Sequence, residues 1–303
     1  MRIKMRKTEI LVMVILLNIA VASAEVYIDN DIEKGTAYIN IDKSPPDSYF
    51  ESMYGWYNHD VMARIKARDA LSGVHSISWM IDGSSPLVSY SSVAEFNLSN
   101  EGVHEIEYSS MDSAGNSEEI RISLVKLDYT APGISILSPA QKIYLHSDII
   151  TLDFWGTDPL SGIFSMNAKI NNIPVMASQE FDMLSLSPGS HEFEALALDN
   201  AGNINVTKVN FTVISNIDSL TSLNDRAVRD GWITSEETAG ILTQKLAIAR
   251  NKIEGSQKEM ANNIIKSYIN EIEIQRGKTI TGYGADVLTT EAAYVYISLF
   301  NPS

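Results

Sequence analysis

Apolar residues recur at every second position over most of this chain, and near residue 215 the spacing lengthens to three and four. Val61, Ala63, Ile65 and Ala67 alternate with polar neighbours, as do Ile77, Trp79 and Ile81, and Ile106 with Tyr108. Ile150, Leu152 and Phe154, then Phe193, Ala195 and Ala197, repeat the pattern. Such alternation lays one face of a strand on a core and leaves Glu105, Glu107, Glu192 and Glu194 on solvated faces. Short runs of this type, divided by turn clusters, predict antiparallel β-sandwiches.

The strand pattern is present twice. Asp69 to Val74, Ile81-Asp82-Gly83, Gly102 to Glu107 and Asp112-Ser113-Ala114-Gly115-Asn116 form the first copy. They return as Asp158 to Ile163, Ile170-Asn171-Asn172, Gly189 to Glu194 and Asp199-Asn200-Ala201-Gly202-Asn203. Gly73 to Asp82 and Gly162 to Asn171 both span nine residues, and His104 to Asp112 and His191 to Asp199 both span eight. Four matched blocks in one order are a tandem duplication. Asp42-Lys43-Ser44-Pro45-Pro46 and Asp128-Tyr129-Thr130-Ala131-Pro132 mark the junctions, because proline cannot continue a strand ladder. The repeats are placed at 46–130 and 131–215, with a small hairpin and linker at 25–45 before them.

Beyond Val213 the period is that of a helix. Ile217–Arg229 is expected as one helix, stopping at Gly231. Thr234-Ser235-Glu236-Glu237 reads as a capping box opening a second helix that ends at Gly255. Ser256-Gln257-Lys258-Glu259 reads as another, opening a third helix that ends at Gly277, and a fourth starts near Thr281. Together they predict a four-helix bundle over 216–303. Gly231-Trp232-Ile233-Thr234 and Gly277-Lys278-Thr279-Ile280-Thr281 occupy equivalent corners between helices.

At the start, Arg2, Lys4, Arg6 and Lys7 precede an apolar run from Ile10 to Val21 and then Ala22-Ser23-Ala24, the order of a secretory signal peptide. The run is interrupted by Asn18 and falls short of the ~20 residues that a membrane span needs. Residues 1–24 are therefore expected to be removed, leaving Glu25 first and no membrane span. The chain has no cysteine, which excludes disulfides and thiolate metal sites. Its net charge of −15 is uneven: residues 25–215 hold 26 acidic and 10 basic groups, whereas 216–303 hold 11 and 9. An acidic front section disfavours nucleic acid and anionic lipid as partners. The change of charge and period at residue 215 also implies separate cores with few contacts crossing it.

The blocks Asp-x-x-Ser-Gly-Val, Ile-Asp-Gly, Gly-x-His-x-Ile-x-Tyr, Asp-x-Ala-Gly-Asn and Asp-x-Thr-Ala-Pro resemble the Ig-like repeats of bacterial and archaeal surface proteins, sometimes labelled outer-membrane β-barrel repeats. Gly55-Trp56-Tyr57-Asn58 matches the same family in the first unit only, and Asn171-Asn172 replaces Asp82-Gly83 in the second, so the second is the more divergent copy. The likeness covers residues 45–214 and implies adhesive or spacer modules rather than catalysts. A literal membrane barrel is rejected, because it needs strands of ~9–11 residues with one lipid-facing side. Leu220, Asp230-Gly231-Trp232-Ile233, Leu242, Lys245-Leu246, Ala249, Gly277-Lys278-Thr279-Ile280-Thr281, Ala285 and Leu288 resemble the FIMAH domain. That helical module follows many secreted prokaryotic hydrolases and surface proteins, and it implies an accessory role over 216–300. The expected fold is multidomain, β then α: two Ig-like β-sandwiches in tandem and a C-terminal four-helix bundle.

Candidate chemistry is sparse. Asp69, Asp112 and Asp128 in the first repeat are answered by Asp158 and Asp199 with a third member missing, in a placement similar to the calcium-binding linkers of cadherin-like domains. Calcium takes six to eight oxygens, more than these residues supply, so structural capping leads and calcium is the alternative. His104 and His191 hold the same place in different repeats and read as locally bonded strand residues rather than metal ligands. Trp56 with Tyr49, Phe50, Tyr54 and Tyr57 reads as core and edge cover before a sugar-stacking platform. Asn97, Asn205 and Asn210 head glycosylation triplets.

No nucleophile elbow, zinc-helix motif, phosphate loop or dinucleotide fingerprint occurs. The expectation is a non-catalytic extracellular or cell-surface protein without a required cofactor. Its spacer or adhesion repeats would present a helical interaction module to an envelope or extracellular protein or glycan. The alternative is an accessory, substrate- or partner-binding subunit of a secreted hydrolase.

Overall fold

The computed structural model describes residues 2–6, 27–31, 36–51 and 54–300. Most of the signal-peptide stretch lies outside them, as does the turn at 32–35. Strands β1 (Arg2–Arg6), β2 (Tyr27–Asp31) and β3 (Thr36–Asn40) form an antiparallel sheet in the order β1-β3-β2. The β2–β3 pair is the expected hairpin.

The first repeat contains β4 (Asp47–Phe50), β5 (Trp56–Tyr57), β6 (Val61–Arg68), β7 (Val74–Ile81), β8 (Leu87–Ser89), β9 (Val93–Leu98), β10 (Gly102–Asp112) and β11 (Arg121–Leu127). They make a sheet ordered β4-β6-β9 and one ordered β5-β11-β10-β7-β8. Inward positions of both sheets share one core: Val61, Ala63 and Ile65 from β6, Ile77 and Trp79 from β7, Ile106 and Tyr108 from β10. The alternation seen in the sequence is thus the pleat of strands half in water.

The second repeat contains β12 (Gly133–Ser138), β13 (Ile143–Leu145), β14 (Ile149–Thr151), β15 (Asp153–Thr157), β16 (Ile163–Ile170), β17 (Ile173–Val175), β18 (Glu180–Asp182), β19 (Gly189–Asp199) and β20 (Ile204–Ile214). Its larger sheet, β13-β20-β19-β16-β17, repeats the first. The smaller one is split into the pairs β12-β15 and β14-β18. Leu152, Phe154, Phe193, Ala195 and Phe211 fill its core.

Four helices follow: α1 (Ile217–Arg229), α2 (Glu236–Glu254), α3 (Lys258–Gln275) and α4 (Gly282–Phe300). Their apolar stripes converge on one cluster including Leu220, Leu246, Tyr268 and Leu288. The cap of α2 is Ser235, whose hydroxyl accepts from the Thr238 amide. That is a single cap bond and not the expected Thr234–Glu237 box, because the cap falls one residue later and Thr238 Oγ1 turns to Thr279; the second expected capping box is not made either. Ser256 takes φ +58° to turn the chain between α2 and α3, so Gln257 becomes the N-cap and makes no side-chain cap bond. The two equivalent corners pair with each other, Thr234 N–H donating to the Thr279 carbonyl and Thr281 N–H to that of Trp232, both at 2.9 Å. Among the described residues no helix is long and apolar enough to cross a membrane.

The chain groups into two compact units. The first takes the residues up to Ala131 with Asp158–Gly162 and Asp199–Asn203; the second takes the rest of the second repeat and the whole helical region. The expectation of separate cores across residue 215 holds, since the helical cluster and that of the second repeat are distinct, but the expectation of few contacts between them is corrected. Within the second unit Leu184 packs on the helical core, and Arg226 of α1 bonds Asp182 at 2.5 Å. Charge and period do change at this boundary, but apolar and ionic contacts cross it.

Candidate functional site

Each repeat contributes a turn in which an aspartate bonds its own backbone. Asp112 ends β10 and accepts Asn116 N–H at 2.8 Å; Asp199 ends β19 and accepts the amides of Ala201 and Asn203, both at 2.8 Å. Gly115 (φ +85°) and Gly202 (φ +94°) supply the left-handed residue that closes these loops. Asp69, just after β6, accepts from Leu71 and Gly73, and Asp158, just after β15, accepts from Leu160 and Gly162. The capping role expected of these side chains is present.

The grouping differs from the sequence expectation. Asp128 does not join Asp69 and Asp112. Asp42, Asp69 and Asp112 form one triad whose oxygens lie within 4.8 Å of one another, and Asp128, Asp158 and Asp199 form a second. All six residues fall in the first compact unit. Asp42 and Asp128 play equal parts: each accepts the amide two residues on (Ser44, Thr130) and one from the Asp-x-x-Ser-Gly loop (Ser72, Ser161), all at 3.0 Å. The signal for Asp42 was the junction Asp42-Lys43-Ser44-Pro45-Pro46, which shares its aspartate and proline with Asp128-Tyr129-Thr130-Ala131-Pro132.

Burial makes the triads chemically demanding. Asp42 is 4% exposed, Asp112 1%, Asp128 0% and Asp199 2%, and none of the six forms an ion pair with Lys or Arg among the described residues. Two like charges 4.8 Å apart repel by about 3 kcal/mol at an effective dielectric of ~20. Burial pushes the Asp42 carboxyl up, but donors from Ser44, Ser72 and Lys43 outweigh it and hold it below the usual carboxylate range. Asp158 Oδ2 is buried with no hydrogen-bond partner. An all-oxygen set with a spare buried lone pair fits a hard divalent cation, which the three aspartates of each triad would hold.

The other candidates separate. Phe50 and Tyr57 pack on the first core, Trp56 lies under Lys126, 5.8 Å from ring centroid to ammonium, and Tyr54 is 85% exposed. They form no common platform. His104 bonds Asp82 through Nδ1 (2.7 Å) and the Asn100 carbonyl through Nε2 (2.8 Å). His191 meets the Asn171 amide through Nδ1 (2.9 Å) and the Ser187 carbonyl through Nε2 (2.8 Å). Both are local bonds, as expected. Asn97 and Asn210 are exposed, whereas the Asn205 amide donates to the Pro132 carbonyl at 2.8 Å.

One buried cluster was missed. Glu291 of α4 accepts from His146 Nδ1 at 2.5 Å, from Ser215 Oγ at 2.7 Å, and from Ser219 Oγ. His146 Nε2 donates to the Leu186 carbonyl at 2.8 Å. Oxygens facing both nitrogens favour the doubly protonated ring. Burial pushes His146 down, but Glu291 above all, and then Leu186, raise it above the ordinary histidine value. The only sequence signal was a lone acid in the apolar run Ala292-Ala293-Tyr294-Val295.

No family model matches the chain. No curated protein matches it either. Among solved structures, the fibronectin(III)-like modules of Clostridium thermocellum CbhA align at 13% identity over 55% of this chain and 94% of that one, with a TM-score of 0.31. Protocadherin Gamma B2 extracellular cadherin domains 3–6 align at 14% over 63% and 64%, TM-score 0.27. The D00-D0 domain of intimin aligns at 11% over 55% and 99%, TM-score 0.30.

Proposed function

We propose that this chain is an exported, non-catalytic modular protein of the cell surface or extracellular space. Two Ig-like β-sandwiches in tandem serve as spacer or adhesion units carrying a FIMAH-like four-helix bundle, and each sandwich holds calcium at its aspartate triad. The observation that carries this reading is the repetition, in both copies, of three converging carboxylates, two of the three nearly fully buried, without a basic counter-ion. A spacer gains from such a site because a cation bound only by the folded form ties loops of different strands together. The signal-like series at residues 2–24 supports export.

Thermal unfolding of the full chain in EDTA and in millimolar calcium tests the cation. Calcium at a hundredfold excess over its dissociation constant should add ~2.7 kcal/mol, and Asp158→Asn with Asp69→Asn should remove the response. An unchanged melting temperature overturns the calcium reading. N-terminal sequencing of the native protein tests export: Glu25 first supports it, and Met1 first contradicts it.

A further inference from the structure

The second repeat lacks half a strand that the first repeat has. In the first, β6 is flanked on both sides: Asp47–Phe50 pairs with Arg68–Ile65, and Val93–Leu98 pairs with Lys66–Val61. In the second, β12 pairs with β15 in the same way, Gly133 opposite Thr157 and Ile136 opposite Phe154. These registers make Thr157, Trp155, Phe154 and Asp153 the counterparts of Arg68, Lys66, Ile65 and Arg64. On the other side, β18 pairs only with β14, at Ile149–Thr151.

The cause is local. Leu152 N–H donates to the Gln179 carbonyl and Ser178 N–H to that of Leu152, so two residues face one, and Ser178 takes φ +64°. That bulge ends the pairing before β15 begins. Among the described residues β15 has β12 as its one strand neighbour. Beside it opens a groove of about 960 Å³, lined mainly by apolar side chains such as Phe154, Met166, Val175 and Met176, with Lys169 and Glu194 also on its wall and paired to each other at 2.8 Å. An unpaired strand edge next to an apolar groove is the arrangement that receives an added strand.

The first repeat shows what such a strand must be. Opposite Lys66, Ile65 and Arg64 stand Val93, Ala94 and Glu95; Ala94 is buried, and Arg64 Nε reaches Glu95 Oε1 at 2.6 Å. In the second repeat Asp153 stands in the place of Arg64, is exposed, and forms no ion pair among the described residues. The sign at that position is reversed.

We infer that the free edge of β15 binds an extended polypeptide segment by strand addition, antiparallel, with a small apolar residue opposite Phe154 and a lysine or arginine opposite Asp153. Backbone hydrogen bonds supply register, the groove takes the inward side chain, and the cross-strand ion pair selects the basic residue.

The test uses two acetylated hexapeptides: residues 90–95 of this chain (Tyr-Ser-Ser-Val-Ala-Glu) and the same peptide ending in Lys, each titrated into isotope-labelled full chain. The Lys peptide should shift the amides of residues 153–156 saturably and bind at least fivefold more tightly than the Glu peptide. Asp153→Lys, a change at an exposed side chain, should reverse that preference. Shifts confined to other residues, or equal affinity for both peptides in both proteins, would overturn the inference. So would the absence of any shift at millimolar Lys peptide.

Discussion

The first repeat sets Asp82 against His104, whereas the second sets Asn171 against His191 on an otherwise equal scaffold. The Asp82 carboxylate and the Asn100 carbonyl face both ring nitrogens of His104, which favours its doubly protonated form. Asn171 Oδ1 already accepts the Glu192 amide, so its Nδ2 donates to His191 Nδ1 and the ring meets an uncharged partner. The outer faces differ in the same sense. Glu192 and Glu194 are met by Lys208 at 2.8 and 3.0 Å, and Lys169 adds a further bond to Glu194 at 2.8 Å. Their counterparts Glu105 and Glu107 face Leu124 and Ile122 across the ladder and make no ion pair among the described residues. After duplication the fold kept its apolar positions and reassigned its charges, because charges on half-exposed strands cost little to exchange.

The largest difference is how each repeat is finished. The first closes with a full β9; the second is incomplete there and is fastened to the helices through His146, Glu291, Ser215 and Ser219. Glu291→Ala would leave the buried His146 ring and two hydroxyls without their acceptor. Removing one partner of a buried pair costs ~3–5 kcal/mol, so chemical denaturation should show a loss of that order. Amide exchange should quicken in β19 and α4 while β10 stays protected. Equal loss of protection in both repeats would break the comparison.

A smaller effect separates the histidines by pH. Burial lowers His104, but the Asn100 carbonyl and then Asp82 raise it above its ordinary value. Burial raises Asp82, but His104 and the Glu105 amide hold it below the carboxylate range. A raised histidine contributes stability that is complete below its unfolded value of ~6.5 and lost as pH rises through the folded one. A lowered aspartate contributes stability above ~4 that is lost on acidification. Urea midpoints should therefore fall on the alkaline side. Asp82→Asn should flatten that fall, by less than ~1 kcal/mol because the Asp82 side chain is half-exposed. Asn171→Asp in the second repeat should steepen it. Midpoints of both variants that track the parent from pH 5 to 9 would count against the assignment.

Much of this architecture was legible because it rests on periodicity. Val61 to Ala67 and Phe193 to Ala197 announce their pleats, and the four helices lie where their stripes and glycines put them. The triads were half legible: each aspartate sits in a recognisable turn, but which three converge depends on strand order, so Asp42 was overlooked and Asp128 misassigned. The His146–Glu291 cluster was not legible, since its members are 145 residues apart and no local pattern marks a buried pair. The Ser256 capping box failed for a conformational reason: the three-residue link Gly255-Ser256-Gln257 between α2 and α3 needed a left-handed residue, and Gly255 keeps φ −77°, so Ser256 supplies it.

The smallest expected effect sharpens the comparison of the outer faces. Lys208 lies opposite Glu194 and also reaches Glu192, while the equivalent place in the first repeat is Ile122, opposite Glu107. Exchanging the two solutions, Lys208→Ile and Ile122→Lys, changes no core contact, because both side chains are on the solvated face. Solvent-exposed pairs contribute little to stability and are screened by salt, so neither urea midpoint should move beyond experimental error at 0.15 M salt. The local potential should move. Lys208→Ile removes the basic partner of Glu192 and one of the two partners of Glu194, and the proton affinity of Glu194, now held low first by Lys169 and then by Lys208, should rise only in part because Lys169 remains. Carboxyl-carbon NMR titration of the labelled chain reads this directly. Glu194 should titrate slightly higher in Lys208→Ile. If Lys208→Ile left the Glu194 titration unchanged, the ion pairs drawn across β19 and β20 would carry no electrostatic weight, and the two faces would be equivalent after all.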